Sequence, residues 1–131
     1  MEHQVKITSI DLMDKYEGTV SFLINRNEYK AFFYGEEYKQ GELTTVEFDH
    51  LEYPLEWDAI FKENKDNELR IEKEENSDWS FCCYGKIISI NPVIADFGDI
   101  SLELGNWTHD PKVIGEFIYW KIERLDIRKL K

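Results

Sequence analysis

The run TVSFLINRNEYKAFFYG, residues 19–35, decides the fold. Val20, Phe22 and Ile24 alternate with Ser21 and Asn25; after the polar break Asn25-Arg26-Asn27, Tyr29, Ala31 and Phe33 alternate with Phe32 and Tyr34. A side-chain period of two belongs to an extended strand, whose successive residues point to opposite faces. Asparagine tolerates the backbone of a tight connection. The two runs therefore predict a β-hairpin.

Working outward, the same period recurs. In Leu43–Leu51 the residues Thr44, Val46, Phe48 and His50 share one phase and Glu47 and Asp49 the other. Further strands are expected over Leu69–Lys73, Trp79–Ile90, Val93–Leu104 and Val113–Ile127, with Asn91-Pro92 and Thr108-His109-Asp110-Pro111 as breaks. One segment departs from the pattern, Pro54-Leu55-Glu56-Trp57-Asp58-Ala59-Ile60-Phe61. Proline suits a first helical turn, acids beside it suit the helix dipole, and Trp57, Ile60 and Phe61 share a helical face. A short helix is predicted over about 54–63.

These elements predict a mainly β chain of about seven or eight antiparallel strands with one short helix. No repeat or Gly/Pro/Ser-rich linker interrupts it, so residues 1–131 read as one domain. A strand-rich chain must pair or cover its edges, which favours a curled sheet or an OB-like barrel. Three strands, a helix and then further strands resembles the element order of an OB-type barrel, a likeness of fold that carries no functional residue with it.

Charge narrows the function. The chain carries a formal net charge of −11, unevenly placed. Residues 47–78 hold twelve acids and four bases, a net of −8, whereas residues 112–131 hold six bases and three acids, a net of +3. Nucleic acids and anionic membranes are bound largely through Lys and Arg, so this balance opposes both. A basic protein partner is the easiest to reconcile with it. The opening MEHQVKITSI has no signal-peptide pattern and no run is long enough to span a bilayer, which gives a cytoplasmic expectation. Cys82 and Cys83 are adjacent, would point to opposite faces of a strand, and read as reduced packing residues.

The segment ADFGDISLELGNWTHD, residues 95–110, is the one that imitates a chemical motif. Asp96-Phe97-Gly98 matches the magnesium-binding tripeptide of kinases, but the glycine-rich loop, the strand lysine and the catalytic loop are missing. Strand phase divides its donors, with Asp99 and Glu103 on one face and Asp96 on the other, so no metal site is expected. A bulge or bend at Phe97-Gly98-Asp99 is the structural reading. An inward Asp96 would need a partner, for which Arg124 is the candidate. His3, His50 and His109 fall in no hydrolase motif, and pairs such as Glu36-Glu37 read as solvated turns. No cofactor and no small-molecule substrate is indicated.

Aromatic residues make up 15% of the chain, more than one core face of alternating strands requires. Tyr53, Trp57, Trp79, Phe81, Tyr84, Trp107, Tyr119 and Trp120 either fill a barrel interior or stand exposed for recognition. The expected function is a non-enzymatic, acidic, cytoplasmic binding domain that engages a basic protein, in the manner of an immunity or inhibitor protein. Its expected contact residues are Glu47, Asp49, Glu52, Glu56 and Asp58, with Trp57 as anchor. The alternatives are a binder of single-stranded nucleic acid or oligosaccharide, which would need Lys121, Arg124, Arg128, Lys129 and Lys131 as a basic stripe, and a small hydrolase.

Overall fold

A computed structural model describes residues 2–52, 57–77 and 79–130. The chain is mainly β. In order its elements are β1 (His3–Asp14), β2 (Glu17–Ile24), β3 (Asn27–Tyr34), β4 (Leu43–Glu52), α1 (Trp57–Lys62), β5 (Arg70–Lys73), β6 (Phe81–Ser89), β7 (Val93–Asp96), β8 (Ser101–Gly105) and β9 (Phe117–Lys129). They form two compact units, residues 1–51 with 124–131, and residues 52–123. The long strand β9 contributes its last residues to the first unit and its first half to the second.

In the first unit β1, β2 and β3 form a meander, and β1 also pairs with β4. The β2–β3 hairpin closes on Ile24↔Asn27, so the connection is the two residues Asn25 and Arg26. Both have positive φ, 50° and 73°, which is what a two-residue turn with the twist of its flanking strands requires. These pairs are antiparallel, whereas β3 also meets β9 in parallel at Phe32↔Asp126, which gives the unit its barrel-like character. Val5, Ile7, Val20, Phe22, Val46 and Leu125 are its most deeply buried apolar side chains.

In the second unit β6 pairs with the first half of β9 on one side and with β5 and then β7 on the other, and β8 lies beyond β7. Phe81, Cys83 and Ile87 of β6 and Ile118, Trp120 and Ile122 of β9 point inward at period two. Gly85 occupies the remaining inward position of β6, where a Cβ would lie 2.4 Å from the Phe97 ring. The absence of a side chain at Gly85 is what admits Phe97, which is wholly buried.

Several expectations need correction. Strand β1 is absent from the sequence reading because a bulge between Ile7 and Ser9 breaks its alternation, so that Val5 and Ile7 are out of phase with Ile10 and Leu12. Four strands, not three, therefore precede the helix. The single strand expected over Val93–Leu104 is a hairpin, β7 and β8, turning at residues 97–100 with Gly98 at φ 98°. The turn restarts the phase: Val93, Ala95 and Phe97 are buried before it, Ile100, Leu102 and Leu104 after it. Pro111–Val113 forms a short 3-10 turn, so β9 starts at Phe117 and not at Val113. The helix is seen over Trp57–Lys62; its expected start at Pro54 lies outside the described residues.

Candidate binding site

Asp96 was expected to need an inward partner in Arg124, and the structure replaces that pairing with two local ones. Asp96 is half-buried on the outer face of β7, and its carboxylate accepts from the Gly98 N–H at 2.8 Å. The bend that Gly98 makes is thus tied by the side chain two residues before it. Arg124 donates to its neighbour on the same strand face, Asp126, through Nε at 2.6 Å and Nη2 at 3.0 Å, and its guanidinium lies 4.8 Å from the Phe32 ring centre. The Asp126 carboxylate raises the Arg124 pKa further above its ordinary range.

The acids expected to form one contact surface are distributed between the two units. Glu47 is half-buried on β4 and accepts from Arg128, whose guanidinium holds the Glu47 carboxyl below the usual carboxylate range. Asp49, two residues along, is exposed and accepts from the His50 N–H at 2.8 Å. Asp58 is exposed on α1, with its carboxylate 3.6 Å from the Lys62 Nζ one turn later. Glu56 and the side chain of Glu52 lie outside the described residues.

The basic stripe that a polyanion would need is largely consumed within the chain. Lys121 contacts Glu74 at 3.0 Å, Arg124 contacts Asp126, Arg128 contacts Glu47, and Lys129 contacts Glu42 at 2.8 Å. Lys131 lies outside the described residues. A second set of cations, on the outer face of the β5–β6–β9 sheet, interleaves with aromatic rings: Arg70 stacks 4.2 Å from the Tyr84 ring centre, and Lys86 lies 5.8 Å from that of Phe117. Arg70 is itself held between Glu68 and Glu72, and Glu68 in particular raises its pKa. Cations already paired with carboxylates of the chain contribute less on meeting a phosphate backbone.

Three of the four tryptophans gather in one cluster within the second unit. Trp57 and Phe61 are one helical turn apart on α1 and in contact, with ring centres 5.1 Å apart. Trp107, carried by the loop after β8, meets Trp57 edge to face at 5.3 Å and Phe61 at 6.0 Å. Trp120 on the inward face of β9 lies under Trp107, nearly parallel to it, at 5.8 Å. The cluster is graded in exposure: Trp120 is 7% exposed and Trp57 55%. The indole N–H groups of Trp107 and Trp120 are buried with no hydrogen-bond partner, which costs the cluster some of what its aromatic packing contributes.

What fixes α1 against the sheet is a neutral polar clasp. Asn64, 5% exposed just after the helix, donates from Nδ2 to the carbonyls of Glu68 at 3.0 Å, Gly85 at 3.3 Å and Ile118 at 3.0 Å. Its Oδ1 accepts from the Glu68 N–H at 2.8 Å. One side chain thus joins the helix end, β6 and β9, and it holds α1 where Trp57 and Phe61 reach Trp107. Sequence reading missed Asn64 because KENKDNE reads as a polar loop, and only the fold distinguishes the buried asparagine from its solvated neighbours.

Among the described residues no group of His, Cys, Asp and Glu is placed to hold a metal ion. Cys83 is buried, and burial raises its thiol pKa; Cys82 is half-buried and accepts from the Tyr119 hydroxyl at 3.4 Å. Among the described residues no helix is long and apolar enough to cross a membrane. Comparison with protein families, with curated proteins and with solved structures finds no match for this chain.

Proposed function

We propose that the chain is a non-enzymatic binding domain that receives a basic protein partner, with Trp57 as the anchor of the contact. The observation that carries this reading is the exposure of Trp57 on a braced support: more than half of the indole faces outward while Phe61 and Trp107 hold it from behind. Binding energy in protein interfaces concentrates on such pre-organised tryptophans, which lose little freedom on association. The net charge of −11 supplies the partner's sign, because long-range attraction speeds encounter with a cationic surface and rejects anionic ones. An immunity or inhibitor protein directed at a cationic toxin or nuclease is the concrete form of this function.

The test is capture from native lysate on immobilised wild-type protein and on Trp57→Ala, each at low and high salt. A basic protein should be retained by the wild type at low salt, released at high salt, and bound at least about tenfold more weakly by the variant. Recovery of nucleic acid, recovery of no protein, or equal retention by the variant would overturn the reading.

A further inference from the structure

Among the described residues, five aromatic rings carry a cation of this same chain. Lys15 lies over Tyr16 at 5.2 Å, Arg70 over Tyr84 at 4.2 Å, Lys86 over Phe117 at 5.8 Å, Arg124 over Phe32 at 4.8 Å and Lys129 over Tyr38 at 4.8 Å. Trp57 has none, although indole is the strongest of the aromatic cation acceptors and Trp57 is the most exposed member of its cluster. The nearest cation along its helix, Lys62, is directed to Asp58. Residues 57–68 hold four acids, Asp58, Glu63, Asp66 and Glu68, against Lys62 and Lys65, so the local charge also favours a cation.

We infer that the exposed indole of Trp57 takes an arginine side chain of the partner. This rests on the reading of Trp57 as the anchor and goes further by naming the group that meets it. A guanidinium is planar, weakly hydrated and able to stack flat on an indole, whereas an ammonium is compact and strongly hydrated. Asp58 follows Trp57 directly and is turned from it by about 100° on the helix, so it acts through its field and not by a shared hydrogen bond. Lys62, 3.6 Å from the Asp58 carboxylate, offsets part of that field, and the four acids of residues 57–68 against two lysines leave it negative.

The experiment uses the full chain and short capped peptides, Gly-Arg-Gly and the same peptide with citrulline, a neutral near-isostere of arginine, titrated while the indole N–H resonances are followed by NMR. The Trp57 signal is identified by its loss in Trp57→Phe. The arginine peptide should shift that signal and reach half-saturation at about two- to fivefold lower concentration than the citrulline peptide. Asp58→Asn should narrow the difference at low salt and have little effect at high salt. Equal response to the two peptides, or shifts confined to other tryptophans, would overturn the inference. A partner captured in a Trp57-dependent manner would then leave the broader reading standing, whereas an arginine preference with no basic protein captured would defeat the broader reading alone.

Discussion

The two halves of β9 are secured by different chemistry. Along residues 117–123 the inward face is held by neutral groups, the Asn64 amide on the Ile118 carbonyl and the Trp120 ring under Trp107. Along residues 124–130 Leu125 and Ile127 are buried, and the polar contacts are ionic. Arg124 forks onto Asp126, Arg128 meets Glu47, and the Lys129 N–H and ammonium engage Glu36 and Glu42. The Lys129 ammonium also donates to the Glu37 carbonyl at 2.5 Å and lies over the Tyr38 ring, whose hydroxyl donates to Glu36 at 2.5 Å. Burial, with the Glu36 carboxylate beside it, raises the Tyr38 pKa far above the ordinary phenol value. The inward contacts of the first half derive their strength from burial and respond little to pH or salt, while the Lys121–Glu74 ion pair lies on its other face; the second half engages Arg124, Arg128 and Lys129 with carboxylates of the same chain.

The comparison breaks most severely at Trp120. Replacing it with alanine empties the base of the aromatic stack, and Trp120→Ala should cost about 3–5 kcal/mol in urea unfolding. Loss of less than about 1 kcal/mol would mean that the stack does not hold the first half of the strand. Next comes Asn64→Ala, which removes the side-chain donor that joins the Gly85 and Ile118 carbonyls to the helix end and leaves the Glu68 N–H without its side-chain acceptor. It should cost about 2–3 kcal/mol and should weaken near-UV circular dichroism from the tryptophans, because α1 loses its clasp.

The smallest effect sharpens the contrast through pH. Burial by itself would raise the Glu42 carboxyl pKa, but the Lys129 ammonium at 2.8 Å and the Lys39 N–H at 3.0 Å outweigh it and leave the value below the ordinary glutamate range. A carboxyl depressed in the folded state stabilises above its unfolded pKa, and that contribution is lost as pH falls through the folded value. Wild-type stability should therefore drop more between about pH 5 and pH 3 than that of Lys129→Met, by about 1 kcal/mol or less for this half-buried pair. Parallel pH profiles from urea midpoints would show that the ionic half contributes no such term, and the Trp120→Ala and Asn64→Ala profiles should run parallel to wild type.

Legibility from sequence followed the regularity of each element. The hairpin was readable because two alternating runs flank Asn25-Arg26-Asn27, whose asparagines suit a turn; the structure makes the turn at Asn25 and Arg26 and puts Asn27 in the strand. Ile118, Trp120 and Ile122 alternate in the sequence with Phe117 and Tyr119, and only the fold shows that the first set is the buried one. Strand β1 escaped because its bulge shifts the phase, and Val93–Leu104 was read as one strand because both flanks of the turn are rich in apolar residues. The acids of residues 47–78 were visible as a run, but the run does not tell which of them are paired within the chain: Glu47 accepts from Arg128 on β9, and Asp58 lies near Lys62 on α1.

By itself the sequence determined the β-rich class, one hairpin turn, the short helix around Trp57 and Ile60, and an excess of negative charge, since period, turn propensity and net charge are local or additive properties of a chain. Tertiary structure alone decided which cations remain available, why Asp96 serves a turn and not a buried ion pair, that Asn64 is a clasp, and that Trp57, Trp107 and Trp120 meet. Those are matters of distance between residues far apart in the chain, and a contact spanning fifty residues leaves no periodic trace in the residues that make it.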